Sequence, residues 1–86
     1  MIDNYMLFSN LPTLDLHGEN RYSAIYYTSL FINDNYKLNN KLVKIVHGKG
    51  EGVLKKEIHK FLRTNNLVKV YKIDCFNEGV TIVELY

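Results

Sequence analysis

Cysteine is almost missing from this chain. The one residue, Cys75, cannot form a disulfide within the chain or build a cysteine-based zinc site. It is expected as a small core residue in a strand. A surplus of one charge is missing too. Eleven Lys plus Arg against nine Asp plus Glu leave a formal charge of +2, too weak to argue for nucleic-acid binding by itself. Residues Met1 to Pro12 contain no Lys or Arg and no long apolar run, so a signal peptide and a membrane span are not expected. A reduced, cytoplasmic protein with no membrane partner is the default expectation. No internal repeat or low-complexity tract is visible.

What remains is the composition of a globular domain. The 86 residues are 47% hydrophobic and 23% charged, which suits one compact core and excludes disorder. Residues 1–12 form a lead-in, with Asn10 and Pro12 marking a turn, and residues 13–86 form the domain. Leu14 and Leu16 alternate with Asp15 and His17, predicting a short strand that Gly18 stops. A helix follows from Glu19 to about Asn35, with Asn20 as its cap. Tyr22, Ile25, Tyr26, Tyr27, Ser29, Leu30 and Phe31 give it a broad apolar stripe, expected to pack in the core with hydroxyls at the rim. Lys41 to His47 is a nearly continuous apolar run, as a central strand requires. Val53 to about Thr64 is the clearest helix, with Leu54, Ile58, Phe61 and Leu62 on one face. Val68 to Phe76 and Val80 to Tyr86 read as an antiparallel pair joined by a turn at Asn77 to Gly79. The order is β-α-β-α-β-β, an α/β chain with both helices expected on one face of the sheet.

Two segments carry chemistry. The first is His47-Gly48-Lys49-Gly50-Glu51-Gly52, which joins a strand to a helix. Its glycines allow successive amides to converge on an anion, the helix start adds its positive dipole end, and Lys49 supplies a mobile cation. The glycine spacing is neither that of a P-loop nor that of a dinucleotide fingerprint. A phosphate cradle is expected at Gly48, Lys49, Gly50 and Gly52.

The second is Leu14-Asp15-Leu16-His17-Gly18. If the strands ending at His17 and His47 are parallel neighbours ~4.8 Å apart, both imidazoles reach one substrate group. Ligands in open α/β sheets gather outside such strand ends. Imidazoles near neutral pKa serve as general acid or base on a phosphodiester. Asp15 could orient one of them or hold a divalent metal such as magnesium or manganese. Lys56, Lys60 and Arg63, with Lys55 beside them, form a basic stripe opposite the apolar face of the second helix, placed to track a phosphate backbone.

These segments, in this order and spacing, resemble the small MutS-related (Smr) domain, whose marks are an LDLHG or LDLRG strand end and an HGxGxG turn followed by a Leu and a basic residue, here Leu54-Lys55. Gly79-Val80-Thr81-Ile82-Val83 resembles the family's final strand. The chain looks like a short stand-alone member. The resemblance implies a two-layer α+β sandwich like the C-terminal domain of translation initiation factor three, with a mixed four-stranded sheet of order 1-2-4-3. It implies DNA or RNA binding and, in several members, endonuclease activity, with functional positions at Asp15, His17, His47, Gly48 and Gly50. The chain departs from the family in three ways. Tyr22 and Ser23 stand where acidic residues are usual, the glycine-rich loop before the last strand is reduced to Asn77-Glu78-Gly79, and no MutS-like ATPase or clamp region is present in these 86 residues. Asp15, His17 and His47 are therefore the expected catalytic residues of an endonuclease. Gly18, Gly48, Lys49, Gly50, Gly52, Lys55, Lys56, Lys60 and Arg63 are the expected nucleic-acid contacts. A non-catalytic binding module is the alternative, and a monomer is expected.

Overall fold

The computed structural model describes residues 10–50 and 52–86. The lead-in expected over residues 1–12 therefore lies mostly outside the described residues. Six elements follow in order: β1 (Thr13–Asp15), α1 (Arg21–Lys37), β2 (Leu42–Val46), α2 (Val53–Arg63), β3 (Val68–Asp74) and β4 (Asn77–Leu85). They build one mixed sheet of order β1-β2-β4-β3. β1 runs parallel to β2, with Leu14 against Ile45 and Asp15 against Val46, while β4 is antiparallel to both β2 and β3. The expected order 1-2-4-3 and the β-α-β-α-β-β sequence of elements both hold.

Alternation along the central strands creates two faces. Val43 and Ile45 of β2 and Val83 and Leu85 of β4 bury against Ala24 and Ile32 of α1 and Ile58 and Leu62 of α2, so both helices cover the same face. The opposite face buries Val80 and Ile82 under Leu11, Leu42 and Val46. α2 behaves as its period predicts, with Ile58 and Leu62 buried and Leu54 and Phe61 packed at the margin.

α1 does not present the stripe expected of it. Its buried residues are Ala24, Thr28, Ile32 and Asn35, whereas Tyr22, Tyr26, Tyr27 and Leu30 are exposed. Apolar side chains surround this helix, so its pattern does not select a face. The close approach of backbone to core goes to the small residues Ala24 and Thr28, which turns the tyrosines outward. Two further expectations are corrected at the β3–β4 hairpin. The strands pair down to Asp74 against Asn77, so the turn is Cys75-Phe76 rather than Asn77 to Gly79. Cys75 accordingly sits exposed in that turn and not in the core. The Asp74 side chain closes the turn by accepting from the Phe76 amide at 3.0 Å.

Thr28 is fully buried, and its hydroxyl has no hydrogen-bond partner among the described residues. Such a group costs about 1–3 kcal/mol of desolvation. Thr28→Val, which keeps the shape and removes the hydroxyl, is expected to raise unfolding free energy by about 1 kcal/mol. Urea denaturation of the two proteins measures this directly, and a less stable valine variant would contradict it.

Candidate functional site

Parallel pairing makes β1 and β2 end together, and the turns that follow them share the walls of one cavity of about 630 Å³. Asp15, Leu16, His17 and Gly18 line it from the end of β1. Val46, His47, Gly48, Lys49 and Gly50 line it from the end of β2, and Gly52, Val53 and Leu54 from the start of α2. The two motifs singled out in the sequence thus meet, as the parallel pairing requires.

The floor of the cavity is a helix start left open. Gly52 is the N-cap of α2, with φ 79°, and it offers no side chain to the first-turn amides. A left-handed backbone of this kind favours glycine. The amides of the first turn of a helix have no acceptor inside the helix, and their dipole favours an anion. There is no acidic residue in this turn, and Lys49 stands at the rim, exposed. α1 starts differently, for Asn20 Oδ1 accepts from the amides of both Tyr22 and Ser23 at 2.9 Å. Among the described residues, one helix start is closed by its own capping side chain and the N-cap of the other makes no such bond.

One of the expected cradle amides is already committed. The Gly79 carbonyl accepts from the amides of His47 at 2.9 Å and Gly48 at 3.0 Å. The Gly48 amide, expected in the cradle, is therefore taken up within the fold. Gly79 is buried against this turn, and a Cβ there would stand 3.1 Å from the Gly48 carbonyl carbon and 3.2 Å from the Lys49 nitrogen. Glycine at this position is what lets β4 reach the turn.

The two histidines are not equivalent. His17 is exposed. Asp15 does not hold its imidazole; the Asp15 carboxylate accepts from the His17 backbone amide at 2.9 Å. β1 ends at Asp15, so Asp15 and His17 are joined by a turn rather than sharing a strand face. His47 is only 5% exposed, where a solvent-facing imidazole was expected. It follows Val43 and Ile45 onto the helix-covered face of β2, and both its ring nitrogens are bonded. Nδ1 lies 3.0 Å from the Gly48 carbonyl and Nε2 lies 2.7 Å from Thr81 Oγ1. The same Thr81 oxygen is 2.7 Å from Nε2 of His59. The rings of His47 and His59 meet edge to face at 5.9 Å, and His59 leans on Tyr71 at 4.9 Å.

His59, Thr81 and Gly79 were not among the expected site residues. Signals for them existed. His59 interrupts the half-buried side of α2 next to Ile58, Thr81 takes the inward phase of β4 shared with Val83 and Leu85, and a glycine inside a strand marks close backbone approach. The basic stripe is where it was expected, with Lys56, Lys60 and Arg63 exposed and Lys55 half-buried.

Among the described residues no three His, Cys, Asp or Glu side chains gather into a metal-binding group. Asp15 has one oxygen engaged by the His17 amide. No helix among the described residues is long and apolar enough to cross a membrane.

Comparison with known proteins decides the family. The family model described as "Smr domain" matches residues 14–86. The chain belongs to the Smr domain family. It is 40% identical over 82 residues to Endonuclease MutS2 of Clostridium acetobutylicum, covering 92% of this chain and 10% of that protein. The MutS2 of Clostridium kluyveri gives 40% identity over 85 residues, 95% of this chain and 11% of that one. The chain thus spans about a tenth of these relatives. Among solved structures, the Smr domain of Thermus thermophilus MutS2 superposes with a TM-score of 0.86 at 25% identity, covering 88% of this chain and 99% of that one. YdaL, a stand-alone small MutS-related protein from Escherichia coli, shares the fold, with a TM-score of 0.81 at 20% identity over 85% of this chain and 63% of that one.

Burial holds the pKa of His47 below its ordinary 6.5. The hydrogen bond to Gly48 opposes this shift and the positive charge of Lys55 adds to it. Burial also lowers His59, helped by His47, Lys55 and Arg63. In the unfolded chain both imidazoles take up protons near pH 6.5, while in the fold they resist. The unfolded state then binds more protons, so this stability is present above pH 6.5 and is lost as pH falls below it toward the lowered values. Melting temperatures from about pH 8 to about pH 5 should fall below pH 6.5, and His59→Gln should flatten that fall. A melting temperature indifferent to pH across this range would show that neither imidazole is held neutral.

Proposed function

We propose that this domain binds DNA or RNA by gripping backbone phosphate at the open start of α2, and that it cuts the phosphodiester with His17 as the proton-transferring group. The observation that carries the reading is the helix start at Gly52. It has no side-chain cap, lines the cavity with Lys49, and shares that cavity with the exposed His17. First-turn amides can stabilise charge that grows on phosphate during attack. An exposed imidazole can take a proton from water or a 2′-hydroxyl. Asp15 would shape the turn that carries His17, through its bond to the His17 amide. Lys56, Lys60 and Arg63 extend positive charge along α2 for the neighbouring phosphates. Membership of the Smr family, whose matched relatives are named as endonucleases, supports the same reading.

One observation favours the second reading, a module that binds without cutting. The ring of His47 is buried and satisfied at both nitrogens, so one imidazole rather than two is placed to exchange protons with a ligand.

The two readings separate in one experiment. Purified protein is incubated with labelled single-stranded RNA and with supercoiled DNA, with and without magnesium, beside identically prepared His17→Ala. Loss of cleavage by about 10²- to 10⁴-fold with binding retained is expected for a general acid–base residue. Unchanged cleavage in the variant removes His17 from the chemistry, and binding with no cleavage by either protein selects the binding module. Affinity should fall with rising salt. Lys56→Glu with Lys60→Glu should weaken it further and reduce the log–log salt slope by about one for each phosphate left unneutralised. Affinity that ignores both salt and these charges would refute the phosphate grip.

A further inference from the structure

The bonds around His47 have only one consistent direction. The Gly48 carbonyl can accept and never donate, so the proton on a neutral His47 sits on Nδ1. Nε2 of His47 is then an acceptor, and its partner, the Thr81 hydroxyl, must donate to it. With its hydrogen committed, Thr81 Oγ1 accepts from His59, whose proton must sit on Nε2. The chain runs His59 Nε2–H to Thr81 Oγ1–H to His47 Nε2, and then from His47 Nδ1–H to the Gly48 carbonyl, through contacts of 2.7, 2.7 and 3.0 Å. It joins α2, β4 and the end of β2, and it finishes on the peptide group that leads into Lys49.

We propose that Thr81 and His59 are positioning residues for the phosphate-binding turn, holding the Nε2 side of the His47 ring so that its Nδ1–H keeps the Gly48 carbonyl and fixes the amides of Lys49 and Gly50 that follow it. The inference deepens the phosphate reading given above and rests on it for its ligand. Thr81 is fully buried and His47 nearly so, so water cannot replace a lost partner without rearrangement. The carbonyl of Gly48 is pulled by His47 while its amide is held by Gly79 at 3.0 Å. The peptide groups on both sides of Gly48 are thus each fixed by a hydrogen bond. His47 in this arrangement touches no substrate and acts through the backbone it holds.

The test uses the whole chain, labelled with ¹⁵N. Imidazole ¹⁵N shifts without any ligand at about pH 7.5 should report Nδ1–H for His47 and Nε2–H for His59. Sulfate, which does not titrate in this range, is then added, and its affinity is read from the amide shifts of Lys49 and Gly50. Thr81→Val leaves His47 Nε2 without its donor, so the ¹⁵N shift of that nitrogen should move and sulfate binding should weaken about three- to tenfold, the scale of one hydrogen bond. Thr81→Ser should restore both. If the valine variant does not fold, the tautomers of the wild type and the serine variant still decide. Nε2–H on His47 would overturn the proposal whether or not sulfate binds, and so would a folded valine variant with unchanged Nε2 shift and affinity. A wild type with the expected tautomers that binds no sulfate would sink the phosphate reading and leave the positioning of the turn standing.

Discussion

Parallel pairing of β1 with β2 is the constraint on which the site depends. Both strands stop at the same end of the sheet, at Asp15 and Val46, and each hands over there to a turn and a helix start. An antiparallel arrangement of the same segments would send the two turns to opposite ends. The pairing can be this short because β2 is flanked on its other side by β4 and is anchored by Val43 and Ile45 in the core. Bonds beyond the strand limits lengthen it, from the Lys44 amide to the Pro12 carbonyl and from the Leu16 amide to the Val46 carbonyl. A three-residue strand is thereby held at both ends.

At that shared end, a single residue type separates a closed helix start from an open one. Asn20 satisfies the first amides of α1 with its own side chain. Gly52 has no side chain with which to do the same for α2. Leaving amides unsatisfied costs stability, and nothing in the packing of α2 demands it, since its buried residues Ile58 and Leu62 lie further along the helix. The omission is intelligible as preparation for an anion. The histidines divide in a similar way. His17 keeps its ring in solvent, while the backbone around it is shaped by Asp15. His47 gives up its solvent-facing ring and becomes part of the support under the turn.

Periodicity and turn chemistry made much of this legible in the sequence. The cap at Asn20, the apolar face of α2, the central run through β2 and the two glycine motifs all lie where their local patterns put them. The family resemblance supplied the sheet order, which no local pattern could. The failures have a common cause. α1 is apolar on all sides, so its period cannot say whether Tyr26 or Thr28 faces the sheet. Asn77-Glu78-Gly79 looks like a turn because its residues favour turns, but pairing of Asp74 with Asn77 overrides that preference. His59 and Thr81 lie 22 positions apart, and their hydrogen bond exists only after α2 has settled on the sheet. Each motif was visible as a string; which residues stand behind it was a question of three-dimensional contact.

Gly79 sets a limit on how this chain can be edited. Its carbonyl accepts from two amides of the turn, and Thr81, two residues on, accepts from His59 and donates to His47. Both contacts depend on where β4 lies along β2, so the stretch from Gly79 to Thr81 works as a ruler with no spare division. An extra residue there would carry one contact or the other out of reach. The hairpin tip at Cys75-Phe76 is exposed, and an irregularity in the pairing already separates it from the regular ladder at Ile73. Loop grafts, labels and affinity handles therefore belong at the tip, where added length is absorbed before it reaches the glycine.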